Sequence, residues 1–247
     1  MARQPLCSVQ FEFSSGCARL RLCRPDHYNA LDISTLAELL VTLEEAAGLH
    51  APLILSGEGH VFSLGCDVRE LAGFSTESAA TYSRLGQQVV RAIESWPGVT
   101  IAHLNGYALG TGLELALGCD LLVGEPGVRI GLPGLAWALV PCWGGLRRLH
   151  QRVGAEVSSD LFLRGQMLDA DSALQVGLLN RIVLTIDEVD QLAHSVADFT
   201  PSAVSAIREL RLRHHGPADA TSETIEADLF AQSFTNGECQ RRLRSLL

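Results

Sequence analysis

Two stretches of the chain place glycine and polar residues directly after apolar runs of strand length, where backbone N–H groups become available for chemistry. They are residues 62–71 and residues 105–116. The first N–H groups of a helix have no partner within the helix, and the positive end of the helix dipole lies there. A turn of this kind can bind a negatively charged oxygen. Glycines that only permit a tight turn would give the same pattern, so one such turn is weak evidence.

Glu114 is the carboxylate best placed to move a proton. It follows the glycine turn 110–112 by two residues and is surrounded by apolar residues at 113 and 115–117. A carboxyl group in such a segment should have a raised pKa, as a proton shuttle at neutral pH requires. The alternative is a glutamate at a helix start whose charge is satisfied by local N–H groups.

A dinucleotide-binding turn does not explain the second stretch. Gly110 and Gly112 begin the expected glycine pattern, but Leu115 occupies the position of its third glycine. The acidic residue expected about 20 positions later is not clearly placed either. The spacing therefore argues against a nicotinamide or flavin dinucleotide at this turn.

Helical and strand patterns alternate along most of the chain, which predicts an α/β fold with largely parallel strands. Strands are expected over 18–24, 52–56, 99–104 and 120–123, and helices over 33–49, 75–96 and 112–117. From about residue 187 only helical patterns follow, over 187–199, 202–212 and 222–234. The sequence thus predicts a core over residues 1–186 and a helical C-terminal region over residues 187–247.

Seen together, these segments resemble the enoyl-CoA hydratase/isomerase (crotonase) superfamily along almost the whole chain. The matching segments are 24–25, 29–31, 62–67, 105–116, 119–120, 141–145, 148–149 and 173–178. The resemblance implies an α/β spiral of ββα repeats with a C-terminal helical region that packs in trimers, as a homotrimer or a dimer of trimers. It also implies that the ligand is a coenzyme A or acyl-carrier-protein thioester.

The resemblance assigns an oxyanion hole to the backbone N–H groups of Cys66 and Thr111. Two preorganised donors would stabilise the negative charge that forms on a thioester oxygen when a proton leaves the adjacent carbon. Family members usually have glycine at the position of Thr111, whose branched side chain narrows the space nearby. Glu114 matches the first of the two glutamates that hydratases of the family place around a water. The expected pocket residues are Leu64, Gly65, Gly110, Gly134, Trp137, Cys142 and Trp143.

The second catalytic glutamate of the hydratases is missing, because Gly134 occupies its position. Some family members place an acidic residue where this chain has Cys142, so the thiol is either an acid or base or, as we favour, a small packing group. For Trp137 and Trp143, shaping the acyl pocket and packing in the core are about equally expected. Arg24 and Arg69 are candidate contacts to the CoA phosphates, and surface arginines are the alternative.

The composition excludes several other function classes. All 19 basic residues are arginine, and with 28 acidic residues the formal net charge is −9. Without lysine, Schiff-base catalysis, a phosphate-binding P-loop and decarboxylation by a pocket lysine are impossible. The charge also argues against nucleic-acid or membrane partners. The seven cysteines and eight histidines show no metal-ligand spacing, and the first residues contain no signal-peptide core. We therefore expect a cytoplasmic protein with reduced thiols, no metal and no cofactor apart from the thioester substrate.

The sequence leads to one principal hypothesis and one rival. The first is an enzyme that forms a thioester enolate and acts as an isomerase or a hydratase/dehydratase, with Glu114 as the single retained acid/base. The rival is a non-catalytic acyl-thioester-binding protein on the same scaffold. Gly134 favours the rival, and the retention of Glu114 with both oxyanion turns favours the enzyme.

Overall fold

Strands and helices alternate along the chain, and the strands form two β-sheets. A computed structural model describes residues 7–213, which divide into a compact unit up to Asp198 and a second unit that begins at Phe199. The strands of the first unit are β1 (Val9–Ser14), β2 (Cys17–Leu22), β3 (Leu53–Gly57), β4 (Val61–Ser63), β5 (Thr100–Leu104), β6 (Tyr107–Leu109), β7 (Leu121–Gly124), β8 (Arg129–Gly131), β9 (Met167–Leu168) and β10 (Arg181–Ile182).

The helices of this unit follow most of the strand pairs. They are α1 (Ile33–Glu45), α2 (Val68–Leu71), α3 (Thr76–Glu94), α4 (Thr111–Ala116), α5 (Gly145–Arg164), α6 (Ala170–Gln175) and α7 (Ile186–Ser195). Gly154 interrupts α5 with a non-helical backbone (φ 81°, ψ 174°). Short 3₁₀ helices cover Pro25–His27 and Pro133–Trp137. In the second unit, α8 covers Pro201–Arg213.

The larger sheet has the strand order β1-β2-β3-β5-β7-β10, and the smaller has the order β4-β6-β8-β9. Neighbours are parallel except for β1 with β2 and β8 with β9. The successive pairs β3–β4, β5–β6 and β7–β8 each give one strand to each sheet, so the chain winds as a spiral. The predicted α/β class with largely parallel strands is therefore confirmed.

The corner between the two strands of a pair requires a residue without a side chain. A β-carbon at Gly106, between β5 and β6, would lie 1.9 Å from the carbonyl oxygen of His60. The Asn105 amide holds the same corner, because its Nδ2 donates to the carbonyls of Gly57 and Gly59 at 2.8 Å each. The turn after β5 (residues 105–106) therefore packs closely against the turn after β3 (residues 57–60), and this contact brings β4 and β6 side by side.

Helix boundaries follow the capping signals in the sequence. Ser75 caps α3 by accepting a hydrogen bond from Ser78 N, and Asp32 caps α1 by accepting one from Thr35 N. Leucines of α1 and the buried face of α3 pack over the larger sheet in the main core.

Two of the three predicted C-terminal helices correspond to α7 and α8, and the third, over 222–234, lies outside the described residues. The contact division falls after Asp198, whereas the sequence suggested a boundary after residue 186.

Candidate active site

The two glycine turns identified in the sequence meet at one end of the smaller sheet. β4 and β6 are parallel neighbours, so the chain leaves both strands at the same edge. Gly65, after β4, has a φ of +92°, and a β-carbon there would lie 3.0 Å from the backbone nitrogen of Thr111. Only a glycine allows the first turn to approach the start of α4 this closely.

Each turn presents an unused backbone N–H. Leu31 N donates to Gly65 O (2.8 Å) and Asp67 N donates to Leu31 O (3.4 Å), a parallel bridge that leaves the Cys66 amide directed away from Leu31. Thr111 is the first residue of α4, and its N-cap Gly110 has no side chain to accept a hydrogen bond. Within residues 7–213, neither the Cys66 N–H nor the Thr111 N–H donates to another residue. Both donors are therefore available to a ligand oxygen.

The Glu114 carboxylate is almost fully buried and accepts three backbone hydrogen bonds. Its Oε2 accepts from Trp143 N and Gly145 N at 2.8 Å each, and its Oε1 accepts from Cys142 N at 3.2 Å. Burial raises the pKa of Glu114, while the three N–H groups and the charge of Arg148 act in the opposite direction. A carboxylate offers about four acceptor positions, so one position on Oε1 stays open.

The loop that donates to Glu114, residues 141–145, is itself held by side chains of two other helices. Arg148 of α5 donates to Trp143 O (2.6 Å) and forms a two-pronged ion pair with Glu94 of α3 (2.7 and 2.8 Å). Ser83 Oγ and Gln87 Nε2 of α3 donate to Cys142 O at 2.8 and 3.0 Å. The position of the Glu114 carboxyl is thus fixed from α3, α4 and α5 together.

A cavity of about 650 Å³ opens beside Glu114. Its wall includes six of the predicted site residues, namely Cys66, Gly110, Thr111, Glu114, Gly134 and Cys142. The rest of the wall is mainly apolar and comes from Leu71, Phe74, α3, the 132–141 segment and α5. A ligand in this cavity would lie against a buried carboxyl group, with two free N–H groups at the same wall. That combination suits a carbonyl compound that loses or gains a proton at the adjacent carbon.

Comparison with known proteins agrees with this geometry. A family model described as enoyl-CoA hydratase/isomerase matches residues 12–246. The chain belongs to this family.

Relatives and solved structures named as CoA hydratases match three quarters or more of the chain. The 2,3-dehydroadipyl-CoA hydratase of Escherichia coli (strain K12) is 34% identical over 195 residues, or 77% of this chain and 76% of the relative. The crotonyl-CoA hydratase of Syntrophomonas wolfei subsp. wolfei is 30% identical over 246 residues, or 97% and 95%. An enoyl-CoA hydratase from Thermoplasma volcanium GSS1 has a TM-score of 0.92 at 24% identity, covering 97% of each chain, which establishes the crotonase-type fold.

Four residues that the family resemblance suggested for the pocket lie outside the cavity wall. Leu64 points to solvent, and Gly65 is buried behind the wall against Thr111. Trp137 is 67% exposed at the end of the Pro133–Trp137 3₁₀ helix. Trp143 is fully buried in the main core. Of the two roles expected for Trp143, this burial favours core packing, because its indole packs against α3 at Gly86 and Tyr82.

The Trp143 indole fills a notch that exists only because residue 86 is glycine. A β-carbon at Gly86 would lie 2.0 Å from indole atoms of Trp143, and the Tyr82 ring lies 5.4 Å from the indole between centroids. We predict that Gly86→Ala lowers the free energy of unfolding by about 1–3 kcal/mol through overpacking, measured by urea denaturation. Gly48→Ala, where a new methyl group meets nothing within 4 Å, is the control. Equal stabilities of the two variants would contradict this packing.

The two thiols at the cavity wall are neutral near pH 7. Burial raises the pKa of Cys142 to about 12, with smaller contributions from the nearby Glu114 and Cys66. Burial likewise raises the pKa of the Cys66 thiol. A neutral thiol with so high a pKa is a poor base, which supports the interpretation of Cys142 as a packing group.

Two arginines were suggested for phosphate binding. Within the described residues, Arg24 forms ion pairs and Arg69 forms none. Arg24 contacts Asp32 (2.9 Å) and Asp67 (3.3 Å) and donates to Ala30 O (2.6 Å). These contacts join the 24–32 loop to the first glycine turn, and a phosphate contact of Arg24 stays a prediction. Arg69 lies exposed on α2, and its side chain has no ion pair within the described residues.

Sequence reasoning did not single out Tyr82, Glu94 and the role of Arg148. Tyr82 lines the cavity and donates its hydroxyl to Leu31 O at 2.9 Å. The helical spacing of α3 predicts a buried face, but it does not show that this face borders a cavity. Glu94 and Arg148 are 54 positions apart, and charged residues of this kind are normally expected at the surface.

Metal ligation and membrane spanning find no support within residues 7–213. These residues contain no group of three or more His, Cys, Asp or Glu side chains close enough to hold a metal ion. None of their helices combines the length and the apolar character that crossing a membrane requires.

Proposed function

We propose that this chain is an enzyme that acts on an acyl-CoA or acyl-carrier-protein thioester through an oxyanion-stabilised enolate. The observation that carries the proposal is the buried Glu114 carboxyl at the wall of an apolar cavity that also presents the unused N–H groups of Cys66 and Thr111. Family membership and relatives named as enoyl-CoA hydratases support the same chemistry.

In this mechanism the thioester oxygen accepts hydrogen bonds from the Cys66 and Thr111 amides. As a proton leaves the α-carbon, negative charge moves onto that oxygen and the two fixed donors stabilise it. Glu114 receives the proton at the open position of Oε1, because its other acceptor positions are engaged by the 141–145 loop. The enzyme needs no cofactor in this mechanism, since the CoA thioester is the substrate.

The reaction class follows from the number of carboxylates. Glu114 is the only carboxyl group among the described residues that line the cavity, and Gly134 provides no side chain to orient a second proton transfer. One carboxylate suffices to move a proton between two carbons, as an enoyl-CoA isomerase does. In a hydratase or dehydratase reaction, water or the substrate would supply the other proton.

Binding of the CoA portion is proposed to involve Arg69, which is exposed and without an ion pair among residues 7–213. An arginine can form two parallel hydrogen bonds to a phosphate group. The homotrimer or dimer of trimers implied by the resemblance stays a prediction, and analytical ultracentrifugation would test it.

A non-catalytic thioester-binding protein is the second candidate. Two observations favour it: Gly134 replaces the second glutamate, and Glu114 accepts three backbone bonds that a structural role alone would explain. A pure binder, however, has no need for a buried carboxyl group beside two free donors, since burying a carboxyl group is costly.

The deciding experiment incubates the protein with saturated and unsaturated acyl-CoAs in D₂O. Mass spectrometry follows deuterium at the α-carbon and the appearance of isomerised or hydrated product. Deuterium exchange above the uncatalysed rate supports the enzyme even without net product. Tight binding with no exchange for any thioester would refute the enzyme and establish the second candidate.

The pH dependence of this exchange should reflect the environment of Glu114. The ionised form abstracts the proton, so exchange is lost as the pH falls through the pKa of Glu114. Because burial raises that pKa above its ordinary value of 4.5, we expect the midpoint of the acid limb above pH 4.5. Exchange rates measured at saturating thioester check this, with circular dichroism to show that the protein stays folded. A midpoint at or below 4.5 would contradict the assignment.

A further inference from the structure

Among the described residues, the cavity beside Glu114 has no side chain that could pair with a second negative charge. Six of its lining residues carry polar side-chain groups, namely Cys66, Tyr82, Thr111, Glu114, Cys142 and Ser159. None of the described lining residues is an arginine, histidine, asparagine or glutamine, and the chain has no lysine. The one carboxyl group of this wall is Glu114, and in its ionised form it would repel another carboxylate.

Apart from the Thr111 and Ser159 hydroxyls, which carry no charge, the polar side chains of the wall are poorly suited to solvate a charge in the cavity. The Tyr82 hydroxyl donates its proton to Leu31 O, and burial raises the pKa of Tyr82 well above its ordinary range. The thiols of Cys66 and Cys142 are weak donors. The free N–H groups of Cys66 and Thr111 lie at the wall where the thioester oxygen would bind, so they serve the other end of the acyl group.

Apolar side chains make up the remaining wall and give the cavity its size. Leu132, Leu135 and Leu139 contribute from the segment before the loop, and Leu146 and Phe162 from α5. A volume of about 650 Å³ lies within the usual range for sites that enclose drug-sized ligands. A four-carbon acyl group would leave much of this apolar surface without a partner.

From these observations we infer that the acyl group is an uncharged aliphatic chain of medium length, roughly six to ten carbons, and that thioesters with a second carboxylate are excluded. This inference rests on the proposed function, because it takes the cavity as the acyl site. The inferred substrate differs from that of the relative named 2,3-dehydroadipyl-CoA hydratase, whose named substrate ends in a carboxylate.

The expected discrimination follows from transfer energies. Each methylene that moves from water into the apolar cavity should tighten binding about fourfold. A carboxylate buried without a partner should weaken binding about 100-fold or more relative to a methyl group at the same place.

The experiment measures Kd by calorimetry for butyryl-, hexanoyl-, octanoyl- and adipoyl-CoA, with free CoA as the reference. We expect stepwise tightening from butyryl to octanoyl, and adipoyl-CoA at least about 100-fold weaker than hexanoyl-CoA, which has the same chain length. Affinity that does not change with chain length, or adipoyl-CoA within about tenfold of hexanoyl-CoA, would overturn the inference. The α-exchange assay on the same thioesters separates the two proposals: chain-length-dependent binding without exchange refutes the enzyme and leaves the ligand class intact.

A designed cation in the wall provides a second test. Leu139→Arg places a guanidinium at a lining position that is 38% exposed, and Val140→Arg does so at one that is 75% exposed and tolerates a charge more easily. We expect adipoyl-CoA to bind at least about tenfold tighter and octanoyl-CoA to bind more weakly. Leu184→Arg, at a 73% exposed position outside the cavity, should change neither affinity. No gain for adipoyl-CoA in either folded wall variant would overturn the assignment of this cavity to the acyl chain.

Discussion

Glu114→Gln is expected to reduce α-proton exchange by about 10²–10⁴-fold, because an amide cannot accept the substrate proton. The same change disturbs the 141–145 loop. The oxygen of the introduced amide can replace Oε2 toward Trp143 and Gly145, but its NH₂ group then faces the Cys142 N–H, which loses its acceptor. We expect a further loss of about 1–3 kcal/mol in the free energy of unfolding.

The two effects are separated by measuring exchange well below the unfolding transition, at saturating acyl-CoA, alongside urea denaturation. Glu45→Gln removes an exposed carboxylate at the end of α1 and should leave both quantities unchanged. An exchange rate in Glu114→Gln within about tenfold of the unmodified protein would show that another group abstracts the proton.

Gly65→Ala should reduce the exchange rate by about 10²–10³-fold, the usual cost of losing one oxyanion donor. The new methyl group would lie 2.7 Å from Leu109 O and 3.0 Å from Thr111 N, so the start of α4 has to move away. That movement displaces the Thr111 N–H from the thioester oxygen. The acyl cavity lies beyond this contact, so the affinity for a saturated acyl-CoA should fall much less than the rate.

Backbone strain is the competing explanation, and a matched glycine controls for it. Gly16, in the turn between β1 and β2, has a φ of +73° and open space around a new β-carbon. Gly16→Ala therefore has a similar conformational cost far from the cavity, and its exchange rate should stay unchanged. Equal rates for the Gly65 and Gly16 variants would indicate that the close approach of the two turns has no role in the reaction.

The sequence predicts the elements whose signals are local. The apolar spacing and the Ser75 cap predict α3 to within two residues at each end, since helix period and capping depend on neighbouring positions. The smaller sheet was not predicted, because β4, β6 and β8 contain three residues each, too few for a periodic pattern. These short strands are nevertheless the elements that bring the two glycine turns together.

Within the candidate site, the two glycine turns predict which residues come together. Cys66, Thr111 and Glu114 lie at one cavity wall, as the resemblance implied. Distant partners decide the surroundings of Trp143 and Arg24. Gly86 makes room for the indole in the core, and two aspartates surround the guanidinium. Such partners are known only once the chain is folded.

The single open acceptor position on Glu114 has a stereochemical consequence. Because three backbone donors occupy the rest of the carboxylate, a proton can enter and leave only through one side of Oε1. An enolate held by two fixed amides cannot rotate to present its other face between proton removal and proton return. Proton removal and return should therefore occur on the same face of the acyl group. An isomerisation at this site would be suprafacial, and part of a deuterium label on the substrate would be retained in the product.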